Sequence, residues 1–253
     1  VARNPGQPPT PLRRAWLWAE MGVLFFGIPA VYAAMLDPQH RFEPVFDAIG
    51  LDILFNLGIP PQHMLFPLLL GTTALIVLFL LLDPTFEKRR LWDPGGAERE
   101  LTRQALLLVV LGPALVGAAW AGASFTDLLP SNAFLHLPRE RTGLWLAIMC
   151  LYPLFSAYPQ EITHRAFFFH RYVPILPRPA VLIGVNTVAF AFMHIVFWNW
   201  VAIVLTFAGG LLFAWTYHRS RSTLAAALEH AVYGNIVFTV GLGGFVFTGS
   251  PGH

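Results

Sequence analysis

The chain has 253 residues, of which 56% are apolar, 14% aromatic and only 12% charged. A soluble globular domain carries about 25% charged residues, so this composition excludes an ordinary water-soluble protein and points to an integral membrane one. The formal net charge of +2 excludes little by itself, because its distribution matters more than its sum.

Seven apolar segments approach the ~20 residues needed to cross a bilayer core as a helix. They fall near 15–36, 64–82, 105–124, 144–172, 180–200, 201–219 and 224–249. All are read as helices, since irregular backbone cannot face lipid. The expected fold is therefore all-α, a polytopic helical bundle forming one membrane domain. Residues 1–143 supply N-terminal helices and residues 144–249 the segment that carries chemistry. The first span follows Arg13 and Arg14, and its apolar stretch exceeds a signal-peptide core, so it reads as a retained anchor.

Between the first two spans, residues 37–63 mix Phe42, Val45, Phe46, Ile49, Leu51 and Leu54 with Asp37, Glu43, Asp47 and Asp52. That mixture suits a helix lying flat in the interface. The 83–104 stretch is charged in both signs and reads as a solvated connection. The single cysteine, Cys150, excludes an intrachain disulfide and a CxxC site. Between the fifth and sixth spans the turn must fall around Trp198–Trp200. In the sixth, Ala208-Gly209-Gly210 would let the helix pack closely on a neighbour.

Thirteen of the sixteen basic residues fall on one side of this seven-span arrangement. The N-terminal arm has three, the 83–104 loop five, the 165–179 stretch three and the 219–223 turn two. The positive-inside rule makes that side cytoplasmic, with the N-terminus inside and the C-terminus outside. Fifteen of the sixteen basic residues are arginine, with Lys88 the single lysine. With much Ala, Gly and Pro, that bias points to a GC-rich bacterial genome and hence to the inner membrane.

Ionisable side chains inside apolar spans are costly and mark functional sites when a partner can be named. Three stand out, on three separate spans: Glu161 in YPQEITHRAFFF, His194 in FAFMHIVFW and His230 in ALEHAVYGN. Each has a plainer reading alone: Glu161 as a structural pair with Arg165, His194 as a core histidine, and the adjacent Glu229 and His230 as satisfied against backbone or a headgroup. Jointly they are natural partners for one another. At 1.5 Å rise per residue, Glu161 and His230 lie roughly 14–15 Å from the arginines that end their spans, and His194 roughly 24 Å. His194 is thus nominally deeper, by an amount that helix tilt partly absorbs. His164 shares a helix face with Glu161, and Glu-x-x-His is half of a di-iron signature. No second copy exists, so an iron oxygenase lacks ligands, and His164 reads as a supporting residue.

The ordered set Glu-x-x-x-Arg, Phe-x-x-x-His and then His followed by Asn resembles the CPBP intramembrane proteases, which include the type II CAAX prenyl proteases and the bacterial Abi proteins. The resemblance covers roughly residues 144–249. Its first motif reads Gln160-Glu161-x-x-x-Arg165, with an amide where the family has a first glutamate. Phe190 and His194 match the second motif, and His230 the third. The family's asparagine position is Gly234 here, and Asn235 comes one residue later, about 140° round the helix from His230.

The resemblance implies peptide-bond hydrolysis within the membrane, at a site open to the cytoplasmic side. Glu161 and His194 would activate water, His230 and Asn235 would stabilise the oxyanion, and Arg165 would orient Glu161. Two histidines and a glutamate are also the ligand set of many catalytic zinc sites. Glu161, His194 and His230 are therefore the candidate ligands if a metal is used, and a metal-free mechanism is the reading preferred. The expected partners are a membrane-associated protein or peptide substrate and the bilayer, with no nucleic acid. The Gln160 and Asn235 departures favour the alternative, a non-catalytic scaffold or chaperone on the same fold.

Overall fold

The computed structural model describes residues 9–50, 60–126 and 128–247. These form helices α1 (Pro11–Met35), α2 (Glu43–Ala48), α3 (Pro61–Leu82), α4 (Pro94–Phe125), α5 (His136–Glu140), α6 (Thr142–Tyr172), α7 (Pro179–Met193), α8 (Trp200–Ser220) and α9 (Thr223–Thr239). No strand occurs among the described residues. Six helices, α1, α3, α4, α6, α7 and α8 with their flanking turns, are long and apolar enough to cross a membrane. The protein is a multi-pass membrane protein. The last expected span is shorter than 224–249: α9 has 17 residues. It ends because Gly241 takes a left-handed φ of +95°, after which Leu242–Val246 form a 3-10 turn.

Two other expectations change. The 83–104 stretch is not a loop throughout, because α4 starts at Pro94, where the missing N–H of a proline costs nothing. Its first turns are helical because Glu100 and Arg103 turn inward to partners on α8 and α9. In the 37–63 stretch only Glu43–Ala48 is an α-helix, and the Leu51, Asp52 and Leu54 portion lies outside the described residues.

Polar side chains start α8 and α9. Asn199 caps α8 by accepting from the Ala202 N–H at 2.8 Å, and Ser222 caps α9 by accepting from Ala225 at 3.1 Å. The turn between α7 and α8 falls where expected, at Trp198, whose φ of +52° stops the His194–Phe197 3-10 turn. The Trp198 indole donates to the Ala33 carbonyl of α1 at 2.7 Å, and the Arg41 guanidinium lies 4.8 Å over its ring. Arg41 is held in turn by Asp37, whose carboxylate its hydrogen bonds keep down at about 2. This clamp fixes the end of α7, and with it His194. Deeper in, Gly210 lets α8 approach α7 closely: a Cβ there would press on Phe190 at 3.0 Å.

A methyl group at Gly241 would overlap the Ala133 backbone, and its backbone is left-handed. Gly241→Ala is therefore expected to destabilise the fold by on the order of 1–2 kcal/mol or more. Gly184→Ala, where α7 has open space, should be neutral or stabilising. Thermal unfolding of both variants in detergent checks the contrast.

Candidate active site

Helix α6 is not a uniform α-helix. Pro153 cannot donate to the preceding turn, and a π-helical turn runs from it over Pro153–Ala157. A second π turn, Ile162–Phe167, starts directly after Glu161 and carries His164 and Arg165. At the junction the Pro159 carbonyl accepts from the hydroxyls of Thr163 (3.2 Å) and Thr73 on α3 (3.4 Å). Widened turns of this kind are frequent at functional sites.

Glu161 is completely buried. One carboxylate oxygen accepts from His230 Nδ1 at 2.9 Å, across from α6 to α9. The other lies 3.1 Å from Arg165 Nε, in an ion pair with both side chains sealed from solvent. Arg165 donates through Nη1 to Asn186 Oδ1 of α7 at 2.8 Å, and Asn186 donates back to the His164 carbonyl at 2.6 Å. The guanidinium also lies 4.8 Å over the Phe190 ring. One carboxylate, one guanidinium and one imidazole, with the Asn186 amide, thus form a connected set spanning α6, α7 and α9.

Phe190 is the hub of the histidines. Its ring contacts His164 at 5.2 Å, His194 at 4.9 Å and His230 at 5.6 Å between centroids. His230 also stacks on Phe213 at 4.6 Å. His194 directs Nδ1 to the Phe190 carbonyl at 2.8 Å, and His164 directs Nδ1 to the Gln160 carbonyl at 3.1 Å. In each ring Nδ1 meets an acceptor and is the donor, and in the neutral form of the ring Nε2 then keeps its lone pair.

These side chains wall one large, mostly apolar cavity of about 2370 Å³, reached by Tyr152, Gln160, His164, His194 and His230. Glu161 and Arg165 lie behind that wall and do not line it. The structure therefore brings Glu161, Arg165, His194 and His230 into one cluster. It does not bring in Asn235, whose amide donates to the Met149 carbonyl at 3.3 Å on α6. The five-residue spacing from His230 on a regular helix turns it away, as no π turn interrupts α9.

A metal does not fit this arrangement. Among the described residues no three His, Cys, Asp or Glu side chains are grouped to hold an ion. Glu161 already engages His230 with one oxygen and faces a guanidinium with the other, which opposes a cation at that carboxylate. The same occupancy removes Glu161 from an iron site with His164.

Several neighbours of the cluster have partners that the sequence alone does not reveal. Asn186 was visible as an isolated amide in an apolar span, yet its partner on α6 was not. Glu229 is satisfied by side chains of other helices and not by backbone or a headgroup. It takes Arg103 at 3.3 Å and a short hydrogen bond from Thr216, and Arg103 in turn pairs with Glu100 at 2.7 Å. Gln160 donates to Ser156 at 2.9 Å.

Residues 142–236 match the model of the family Type II CAAX prenyl endopeptidase Rce1-like. This segment, somewhat more than a third of the chain, is thus similar to the type II CAAX prenyl endopeptidases. It holds Glu161, Arg165, Asn186, His194 and His230, the whole cluster described above. No curated protein and no solved structure gives a match.

Arg165→Ala leaves the Glu161 charge buried and is expected to cost about 3–5 kcal/mol. Adding Glu161→Gln to it removes that charge and should recover part of the loss. Denaturation of the three variants in detergent checks this, and strictly additive losses would contradict the pairing.

Proposed function

We propose that the protein is an intramembrane endopeptidase that hydrolyses a peptide bond of a membrane-associated protein or peptide. The observation that carries this reading is the Glu161–His230 contact. It ties the proton of one ring nitrogen to a carboxylate and leaves the other nitrogen free beside the cavity. A carboxylate behind a histidine fixes the tautomer and stabilises the imidazolium formed when that ring takes a proton.

The roles then differ from those expected of the motif. Glu161 cannot meet water directly, because it is sealed behind the wall, so it works through His230. A water between His230 and His194 would give a proton to His230 Nε2 as its oxygen attacks the carbonyl carbon. His194, with Nδ1 tied to the Phe190 carbonyl, accepts the water's second hydrogen and orients it. When the carbon–nitrogen bond breaks, the His230 imidazolium returns the proton to the leaving amine. No metal takes part in these steps. The apolar cavity would hold the substrate's membrane-embedded portion.

This scheme assigns the base to His230, so Gln160 in the first motif position does not abolish activity. The assembled cluster supports the peptidase over the scaffold alternative, in whose favour stands the Asn235 amide turned away to Met149.

His230→Ala and His194→Ala are each expected to lower cleavage of membrane-anchored peptide substrates by about 100-fold or more. Glu161→Gln should also lower it strongly while the protein stays folded. Unchanged processing in both histidine variants would overturn the reading. Elemental analysis of the active protein should find no stoichiometric transition metal. A stoichiometric metal whose removal stops cleavage would overturn the metal-free scheme.

A further inference from the structure

The scheme above supplies a base and a positioned water but no donor for the developing oxyanion, since Asn235 is turned toward Met149. A second hydroxyl stands where that donor is needed. Tyr152, at the end of the first α-helical segment of α6, is half-buried and lines the cavity. Its ring meets His230 edge-on at 5.9 Å and Phe238 at 5.3 Å. Its hydroxyl has no hydrogen-bond partner among the described residues and is not sealed from the cavity. A tyrosine packed this deeply usually finds a partner.

The opposing helix is shaped around this phenol. Gly234 lies one turn beyond His230 on α9, and a Cβ there would overlap the ring and hydroxyl of Tyr152. Glycine is unfavourable inside a helix, so close approach of the phenol gives this one a physical reason. The same turn of α9 thus presents His230 and leaves room for an unpartnered donor beside it.

We propose that Tyr152 is a catalytic residue of this reaction, donating a hydrogen bond to the carbonyl oxygen of the scissile peptide as it becomes an oxyanion. The assignment rests on the peptidase reading above. As the water oxygen bonds to the carbonyl carbon, the C=O π electrons move onto oxygen. The Tyr152 O–H bonds to that oxygen and keeps its own proton. When the tetrahedral species collapses, the electrons return, the carbon–nitrogen bond breaks and the amine is protonated by His230.

Tyr152→Phe keeps the ring and its packing and removes only the donor. Losing one oxyanion donor is expected to lower kcat by about 100-fold or more, with KM little changed. Affinity for a phosphinate peptide, a tetrahedral anionic mimic, should fall in parallel, while affinity for the matching amide peptide stays level. Gly234→Ala should displace the phenol and lower kcat similarly, and combining it with Tyr152→Phe should add little further loss. Wild-type kcat and phosphinate affinity in Tyr152→Phe would overturn the proposal and leave the peptidase reading standing. A wild-type protein that neither cleaves peptides nor binds the phosphinate would overturn both.

Discussion

The structure depends on one electrostatic constraint: a fully buried carboxylate, Glu161, in a helix long and apolar enough to cross a membrane. Such a group is tolerable only when donors and an opposite charge surround it. Arg165 supplies the charge from the next turn of α6, and His230 supplies a donor from α9. Arg165 then needs partners of its own, which draws Asn186 and Phe190 of α7 into place. Three helices are registered by the needs of one side chain, and the histidines take their positions from that registration.

Adjacent residues on α9 serve different neighbours. Glu229 and His230 are about 100° apart on the helix, so one faces Arg103 and Thr216 and the other faces Glu161. The first network ties α9 to α4 and α8 near the start of α9. The second sets the wall of the cavity. Each of these two networks pairs opposite charges, and the lining of the cavity stays largely apolar. Glu161 and Arg165 lie behind the wall, and imidazoles and a phenol form part of its surface.

Much of this was legible in the sequence. The spans could be read from length and hydropathy, and Glu161, His194 and His230 stood out because ionisable groups are rare there. What could not be read was local backbone geometry. The π turn after Glu161 and the 3-10 turn at His194 change the directions in which side chains leave their helices, which a uniform helix does not give. The burial of Glu161 behind the wall was equally invisible, because burial depends on Phe190, Phe213 and the closeness that Gly210 permits. Tyr152 gave no signal, since an aromatic residue in an apolar span is ordinary. Only the glycine facing it distinguishes it. The charged start of α4 is hidden for a related reason: charges read as solvated in the sequence pair in the fold, where Glu100 is buried and Arg103 half-buried.

The claim on which the rest stands is that His230 is a neutral ring with its Nδ1 proton held by Glu161 and its Nε2 bare toward the cavity. Nitrogen-15 NMR of labelled histidine, assigned with the His230→Ala variant, tests it directly. The expected result is a resonance pair for a protonated Nδ1 and an unprotonated Nε2, with the Nδ1 signal shifting in Glu161→Gln. A bare Nδ1 with a protonated Nε2, unchanged by Glu161→Gln, would contradict it.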